Sequence, residues 1–216
     1  MKTNATKNNL LRMVQFAMLL GIEAVFCFTV LGSLPIGPMV ATLAMLPVIV
    51  AALLLGTGAG AAMGFFAGLF SFIVWTYMPP NPALAFVFTP FYSLGEFQGN
   101  GWSLVICFVP RILVGVVTGL SYQLLSRLTK TWRLKNALVY GLSGALGSLT
   151  NTIPVLLGIY VFFGPQYATA NQVAYAALLG IIGFTIATNG VLEAVLGALT
   201  AYGVCPAVKK MTARMR

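Results

Sequence analysis

Three ionisable residues lie inside long apolar segments of this sequence, where a charge requires an explanation. Arg111 lies in the fourth such segment, Glu23 lies in the first and Glu193 lies in the last. Charged side chains are costly inside a lipid-covered bundle, so they face its interior or a wet cavity and take a partner there. Two hypotheses follow: an Arg–Glu pair that holds helices together, or a polar site for a ligand. We favour the ligand site. Both hypotheses hold if Arg111 pairs with a glutamate when the site is empty and with the ligand when the site is occupied.

Uncharged polar residues occur at a similar depth. At the helical rise per residue, Arg111 lies roughly 13 Å from Trp102, and Asn151 lies roughly 24 Å from the basic segment before it. Asn189 precedes Glu193 by one helical turn, so the two side chains share a face. We therefore expect these four polar side chains to converge from three helices on one half of the bundle. Either asparagine alone would indicate an interhelical hydrogen bond, whereas their common depth favours a site.

The segments that connect the apolar stretches supply further candidates. Residues 79–101 are rich in aromatic side chains and include Tyr92 and Gln98, and Tyr160 lies at the end of the fifth apolar stretch. These three residues are candidate ligand contacts at the mouth of the site. Aromatic residues at this height also form the interfacial belt of membrane proteins, so that interpretation stays open.

Several kinds of chemistry have no residues to support them. The sequence has no histidine, and it contains no H-E-x-x-H, G-x-S-x-G or P-loop motif. The three cysteines lie in separate apolar stretches and are interpreted as packing residues. We therefore predict a non-catalytic chain with no catalytic residue, no metal site and no cofactor, which cannot itself hydrolyse ATP through a P-loop.

The elements that position these residues are predicted to be membrane-spanning helices. Of the 216 residues, 59% are hydrophobic and 7% are charged, against about 25% charged in soluble domains. A spanning helix needs about 20 apolar residues, which predicts an all-α integral membrane protein, a bundle of six helices in a single membrane domain over residues 1–216. The predicted spans cover residues of about 13–31, 39–55, 61–77, 102–125, 137–163 and 173–204.

The basic residues predict the orientation of this bundle. Apart from Arg111, they fall before the first span, between the fourth and fifth, and after the sixth. An even number of spans places all three groups on one side, which the positive-inside rule assigns to the cytoplasm, so both termini are predicted to be cytoplasmic. The net charge of +9 is thus a topology signal in a lipid-embedded chain and does not indicate nucleic-acid binding.

Four segments of the chain resemble a known family. They are Leu34-Pro35-Ile36-Gly37-Pro38-Met39-Val40-Ala41-Thr42 running into Pro47, Cys107-Phe108-Val109-Pro110-Arg111 with Gly115, and Gly147-Ser148-Leu149-Thr150-Asn151-Thr152, together with Asn189-Gly190 and Glu193. With the length and topology, they are similar to the substrate-binding (S) component of an energy-coupling factor (ECF) vitamin transporter. Within that family, the chain looks most like the pantothenate-type subgroup.

The resemblance implies a mechanism and partners. A water-soluble vitamin would bind from outside a bacterial plasma membrane, under a lid made of Gly32–Pro38 and Pro79–Gly101. The loaded protein would dock on a transmembrane coupling protein that carries two ABC-type ATPases. Family members dock through small residues on the first helix, a role that Ala17 and Gly21 match here. For pantothenate, Arg111 would bind the carboxylate, with the asparagines taking the rest of the molecule.

Alternatives stay open at this point. Two buried glutamates outnumber one arginine, which disfavours an anionic ligand unless a glutamate is protonated or lies outside the cavity. Riboflavin or another vitamin would suit the aromatic segment equally well. A stand-alone secondary transporter or channel would import without a partner and favours an inverted repeat, which the sequence does not display. A membrane enzyme is disfavoured because histidine and paired acids are missing.

Overall fold

The computed structural model describes residues 2–29, 32–36, 39–94, 97–128 and 135–214. Its α-helices are α1 (Lys2–Phe28), α2 (Leu46–Leu55), α3 (Thr57–Tyr77), α4 (Gly101–Leu128), α5 (Lys135–Ala170), α6 (Tyr175–Thr185) and α7 (Val191–Arg214). Two short antiparallel hairpins join them, β1 (Ser33–Ile36) with β2 (Met39–Thr42), and β3 (Ser93–Leu94) with β4 (Phe97–Gln98). The all-α class predicted from the sequence is confirmed.

Five helical segments of the described chain are long and apolar enough to cross a membrane, and a shorter apolar helix accompanies them. The five segments are Thr6–Phe28, Thr57–Tyr77, Gly101–Leu128, Leu138–Ala170 and Tyr175–Thr212. The shorter segment is Leu43–Leu55, which combines a 3₁₀ turn with α2. Much of the surface of the long helices is apolar and exposed, as expected where lipid covers it.

The region predicted as the second span differs from a continuous helix. Met39–Thr42 forms a strand that pairs with Ser33–Ile36, and α2 begins only at Leu46, with Pro47 in its first turn. Proline fits the first turn of a helix because its missing N–H would have no helical partner there. The proline-rich stretch before α2 therefore forms a hairpin instead of extending the helix.

Helix α2 is the centre of the bundle. Almost all of its side chains are buried, and it packs against α1, α3, α4, α5 and α7. A helix that is apolar on every side is stable only when it is surrounded. The neighbouring helices approach closely through glycines: a Cβ at Gly115 of α4 would lie 2.1 Å from the carbonyl group of Gly60 on α3.

The first half of α1 and the last turns of α7 lie at the same end of the bundle. Gln15 Nε2, midway along α1, donates to Thr212 Oγ1 near the end of α7, at 3.0 Å. Lys209 of α7 also contacts Tyr122 near the end of α4 and Tyr140 near the start of α5. We call this the terminal end. The opposite end, where α1 and α3 finish, is the cavity end.

The last two helices form one rod with an irregular turn. A π-helical turn, Ile186–Gly190, connects α6 to α7 and contains Asn189. The extra residue in a π-helical turn rotates the side chains that follow it relative to those before it. Such turns are frequent at functional sites. The turn therefore changes which residues of the sixth predicted span face the bundle.

Candidate functional site

A cavity of about 450 Å³ opens at the cavity end, within the range of small-molecule sites. Its wall is built by the last turns of α1 and α3, the 3₁₀ turn before α2, the middle of α4 and α5, and the connection after α3. The wall residues that matter most for the chemistry are Cys27, Ser71, Trp75, Phe88, Arg111 and Asn151.

Arg111 is 92% buried, with its guanidinium group held by the chain around it. Nη1 donates to the carbonyl oxygens of Cys107 at 2.6 Å and Ile106 at 3.3 Å, and Nη2 donates to Ser71 Oγ at 2.9 Å. The neighbouring Pro110 explains part of this arrangement, because proline has no N–H to offer the Ile106 carbonyl four residues earlier. The arginine satisfies a backbone acceptor that the proline leaves free.

The guanidinium group keeps donor capacity toward a ligand. Nη2 has two hydrogens and one acceptor, and the buried Nε has no hydrogen-bond partner among the described residues. Nε and a terminal nitrogen of arginine form a planar fork that matches the two oxygens of a carboxylate. Arg111 is also the only charged side chain among the described residues that line the cavity. The site is therefore electropositive.

Aromatic rings form the wall beside this cation. The Cζ atom of Arg111 lies 5.8 Å from the centre of the Phe88 ring. Phe88 stacks on Trp75 with their centroids 4.5 Å apart. Stacked rings are rigid and apolar, and a ring face near a cation stabilises it. This wall fixes the guanidinium group and offers an apolar surface to the uncharged part of a ligand.

Asn151 faces the cavity from α5. The side chain is 92% buried, and its Oδ1 has no hydrogen-bond partner among the described residues. An unsatisfied buried acceptor costs roughly 1–3 kcal/mol, which a donor on a ligand would recover. Arg111 and Asn151, both predicted from the sequence, are thus brought together in one wall.

Asn189 and Glu193 lie outside the cavity wall, on the rod formed by α6 and α7 where it packs against α5. Glu193 is buried and its Oε2 accepts a hydrogen bond from Thr152 Oγ1 at 2.5 Å. Asn189 has a buried Oδ1 with no partner among the described residues. Neither residue lines the cavity. Glu193 is thus bonded to the helix that carries Asn151, and the predicted contact of Asn189 and Glu193 with ligand stays a prediction.

The three predicted mouth residues are not in the cavity wall either. Tyr160 stacks on Tyr175, with centroids 5.7 Å apart and planes 5° from parallel. Tyr92 is half-buried and Gln98 is exposed in the connection between α3 and α4. Their roles at the mouth of the site stay predictions.

The two predicted lid segments border the cavity in part. Gly32 lines the cavity, and residues 37 and 38 of the same segment lie outside the described chain. Pro80 and Phe88 line the cavity from the second segment. Its residues 95 and 96, which include its acidic side chain, also lie outside the described chain.

Ser71 and Trp75 are wall residues that the sequence analysis missed. They lie on α3 with Ala67 and Val74, at spacings that place all four on one face of the helix. The helical spacing was visible in the sequence. What could not be read was that this face, rather than another, meets Arg111.

Glu23 lies on the inner side of α1, close behind the cavity wall. Its side chain is fully buried, and its Oε1 accepts a hydrogen bond from the thiol of Cys27 at 3.3 Å. It interacts electrostatically with Arg111. Within the described chain, however, the hydrogen bonds of Arg111 go to Ser71 and to two carbonyls and not to a carboxylate. The hypothesis of a helix-locking pair is not supported by these contacts.

Ala17 and Gly21 lie on the outer side of the same helix. Both are exposed, and a Cβ at Gly21 would meet no atom within 4 Å. Ala17 lines a shallow apolar groove with Phe16, Leu20 and other neighbours. The first helix thus has a buried face toward the site and a bare face of small and apolar residues.

Comparisons with known proteins agree with this architecture. Residues 11–205 match the model of the family described as "ECF transporter, substrate-specific component". The chain is 34% identical over 174 residues to the pantothenic acid transporter PanT of Lactococcus lactis subsp. cremoris, covering 80% of each chain. It is 28% identical over 179 residues to the pantothenate transporter PanT of Leuconostoc mesenteroides, covering 78% of this chain and 77% of the relative. Since the family model covers most of its length, the chain belongs to the substrate-specific components of ECF transporters.

Proposed function

We propose that this protein binds pantothenate with high affinity and delivers it as the substrate-specific subunit of an ECF-type ATP-driven importer. The single observation that carries the proposal is the donor fork of Arg111 beside a cavity whose described wall has no other charged residue. Such a site requires an anion to balance it. The two relatives named as pantothenate transporters support the choice of anion.

The polar groups of pantothenate match those of the site in kind. Its carboxylate would accept hydrogen bonds from Nε and Nη2 of Arg111. A hydroxyl or the amide N–H would donate to the unsatisfied Oδ1 of Asn151. The apolar middle of the molecule would rest against Trp75 and Phe88, which present stacked ring faces. Every buried polar atom that the empty cavity leaves unsatisfied in these two residues would then have a partner.

The excess of glutamate over arginine does not contradict an anionic ligand. Neither Glu23 nor Glu193 lines the cavity, and Glu193 accepts a hydrogen bond from Thr152 of α5. A carboxylate outside the wall repels the ligand less than one inside it, since the interaction weakens with distance.

The orientation in a bacterial plasma membrane follows from charge and contacts. The Gln15–Thr212 hydrogen bond joins the middle of α1 to the end of α7, which supports a common end for both chain ends, beside the basic residues of α4 and α7. With the positive-inside rule, that end is cytoplasmic and the cavity opens outward. Six crossings result if α2, with the 3₁₀ turn before it, counts as the second.

The partners would be a transmembrane coupling protein and two ABC-type ATPases, which supply the energy that this non-catalytic chain cannot. The family description supports work with such a module. The bare outer face of α1, with Ala17 and Gly21, is the surface we propose for docking, because small residues let helices approach closely within lipid.

The proposal is tested by isothermal titration calorimetry on the purified full-length protein. Pantothenate, riboflavin and other water-soluble vitamins are titrated in turn, after mass spectrometry has identified any co-purified molecule. Tight binding of pantothenate alone supports the proposal. Tight binding of another vitamin would leave the family assignment unchanged and would replace the proposed substrate. Uptake by this chain without partners would favour a stand-alone transporter.

A further inference from the structure

Glu23 is a buried acidic side chain next to the cavity wall with few hydrogen-bond partners. It is fully buried on α1, and its Oε2 has no hydrogen-bond partner among the described residues. The other oxygen receives one weak bond, from the thiol of Cys27, which itself lines the cavity. The established family and the proposed substrate assign no task to this side chain.

The contacts disfavour an ionised Glu23. A carboxylate has two oxygens with about four acceptor sites, and here a thiol, a weak donor, occupies one of them. A buried charge without partners costs far more than a buried neutral carboxyl group. Arg111 does not supply the missing partner, because its hydrogen bonds within the described residues go to Ser71 and to two backbone carbonyls and none goes to Glu23.

We propose that Glu23 is a specificity-determining residue, which stays a neutral carboxylic acid when the site is ready for ligand and thereby leaves Arg111 as the uncompensated charge that selects an anion. This inference rests on the proposed function. An ionised Glu23 would neutralise the guanidinium group in advance and compete with the ligand carboxylate for it. The cavity would then lose its preference for an anion over a neutral molecule of the same shape.

The surroundings contain few groups that could produce the same effect. In the described chain, the charged or titratable groups that act on Glu23 are Cys27 on its own helix and Arg111 on α4. Cys107 of α4 acts on Cys27 in turn. The substitution Cys27→Ala therefore separates the thiol from the carboxyl group, and Glu23→Gln keeps the shape of a neutral Glu23 while removing its proton equilibrium.

The first measurement compares pantothenate with pantothenol, its neutral alcohol analogue, by calorimetry on the full-length protein near neutral pH. We expect the Glu23→Gln variant to keep the pantothenate affinity of the unsubstituted protein within about threefold, and to keep the preference for pantothenate. Raising the pH until Glu23 ionises should lower pantothenate affinity by about tenfold in the unsubstituted protein and the Cys27→Ala variant, but not in Glu23→Gln. Pantothenol binding should not follow this pattern.

The second measurement does not depend on binding by a variant. Infrared difference spectroscopy between the unsubstituted protein and Glu23→Gln near neutral pH should show the carbonyl band of a protonated carboxyl group. A carboxylate band instead, or a pantothenate affinity about tenfold higher in Glu23→Gln, would overturn the inference. It would also fall if both proteins lost affinity equally in alkaline buffer. Absence of pantothenate binding under every condition would overturn the proposed function, and this inference with it.

Discussion

The cavity end and the terminal end of the bundle treat their polar groups in opposite ways. At the cavity end, Arg111 Nε and Asn151 Oδ1 are buried beside about 450 Å³ of space, and neither has a partner in the part of the chain that the structure describes. At the terminal end, Lys209 donates to Tyr122 at 3.1 Å and lies over two aromatic rings. A buried polar group without a protein partner that lines a cavity can bind a ligand, whereas groups bonded across helices hold the helices together. The difference indicates that binding and stability are concentrated in separate halves of the molecule.

The largest expected effect tests whether one cation makes the cavity end a binding site. Replacing Arg111 by Gln removes the charge and the donor fork, so pantothenate affinity should fall by at least about 100-fold, since hydrogen bonds to charged groups contribute about 1.5–3 kcal/mol each. Calorimetry measures the loss. The matched control is Arg127→Gln, which removes an exposed arginine near the terminal end of the same helix. An equal loss in the control would mean that overall charge, and not the site, governs binding.

The next effect concerns stability in the packed region between the two ends. Gly115→Ala places a Cβ about 2.1 Å from the carbonyl group of Gly60, so α3 and α4 must separate. We expect a loss of about 1–3 kcal/mol in unfolding free energy, in line with other overpacked contacts. Thermal unfolding in detergent measures it. Gly21→Ala is the control, because it adds the same methyl group in open space. Equal stability of both variants would contradict the close packing.

A smaller effect distinguishes Asn151 in the wall from Asn189 behind it. Asn151→Ala should weaken pantothenate binding by about tenfold, because the ligand donor loses its acceptor. Asn189→Ala should change affinity less, since Asn189 does not line the cavity. Titrations of the two variants under identical conditions give the ranking. The reverse ranking would show that Asn189 turns into the site when ligand is present.

The smallest effect concerns the terminal end alone. Lys209→Met removes the hydrogen bond to Tyr122 and a cation held over two rings, so thermal stability should fall by the equivalent of about 1 kcal/mol or less. Pantothenate affinity should not change. A clear loss of affinity in this variant would show that the two ends are energetically coupled. Binding and stability would then not be separate properties of the two ends.

Much of the fold could be predicted from composition and spacing. Helices of the right length and class follow from long apolar stretches in a chain with 7% charged residues. The hairpin before α2 could not be predicted. Its second strand, Met39–Thr42, is apolar and continues directly into the apolar segment that forms α2, although it pairs with Ser33–Ile36. A short apolar run is compatible with a strand or with the start of a buried helix, and the pattern alone does not distinguish them.

The position of the polar side chains along their helices could be predicted, but the direction in which each one points could be predicted only in part. The rise per residue fixes how far along a helix a side chain lies, and it placed Arg111 and Asn151 at the level of the cavity from sequence alone. Asn189 and Glu193 lie on a rod whose π-helical turn alters its faces, and they are beside the wall instead of in it. The sequence by itself determined the class of protein and the depth of its polar residues. The tertiary structure decided which of them share a cavity, because the rotation of each helix is set by packing against its neighbours.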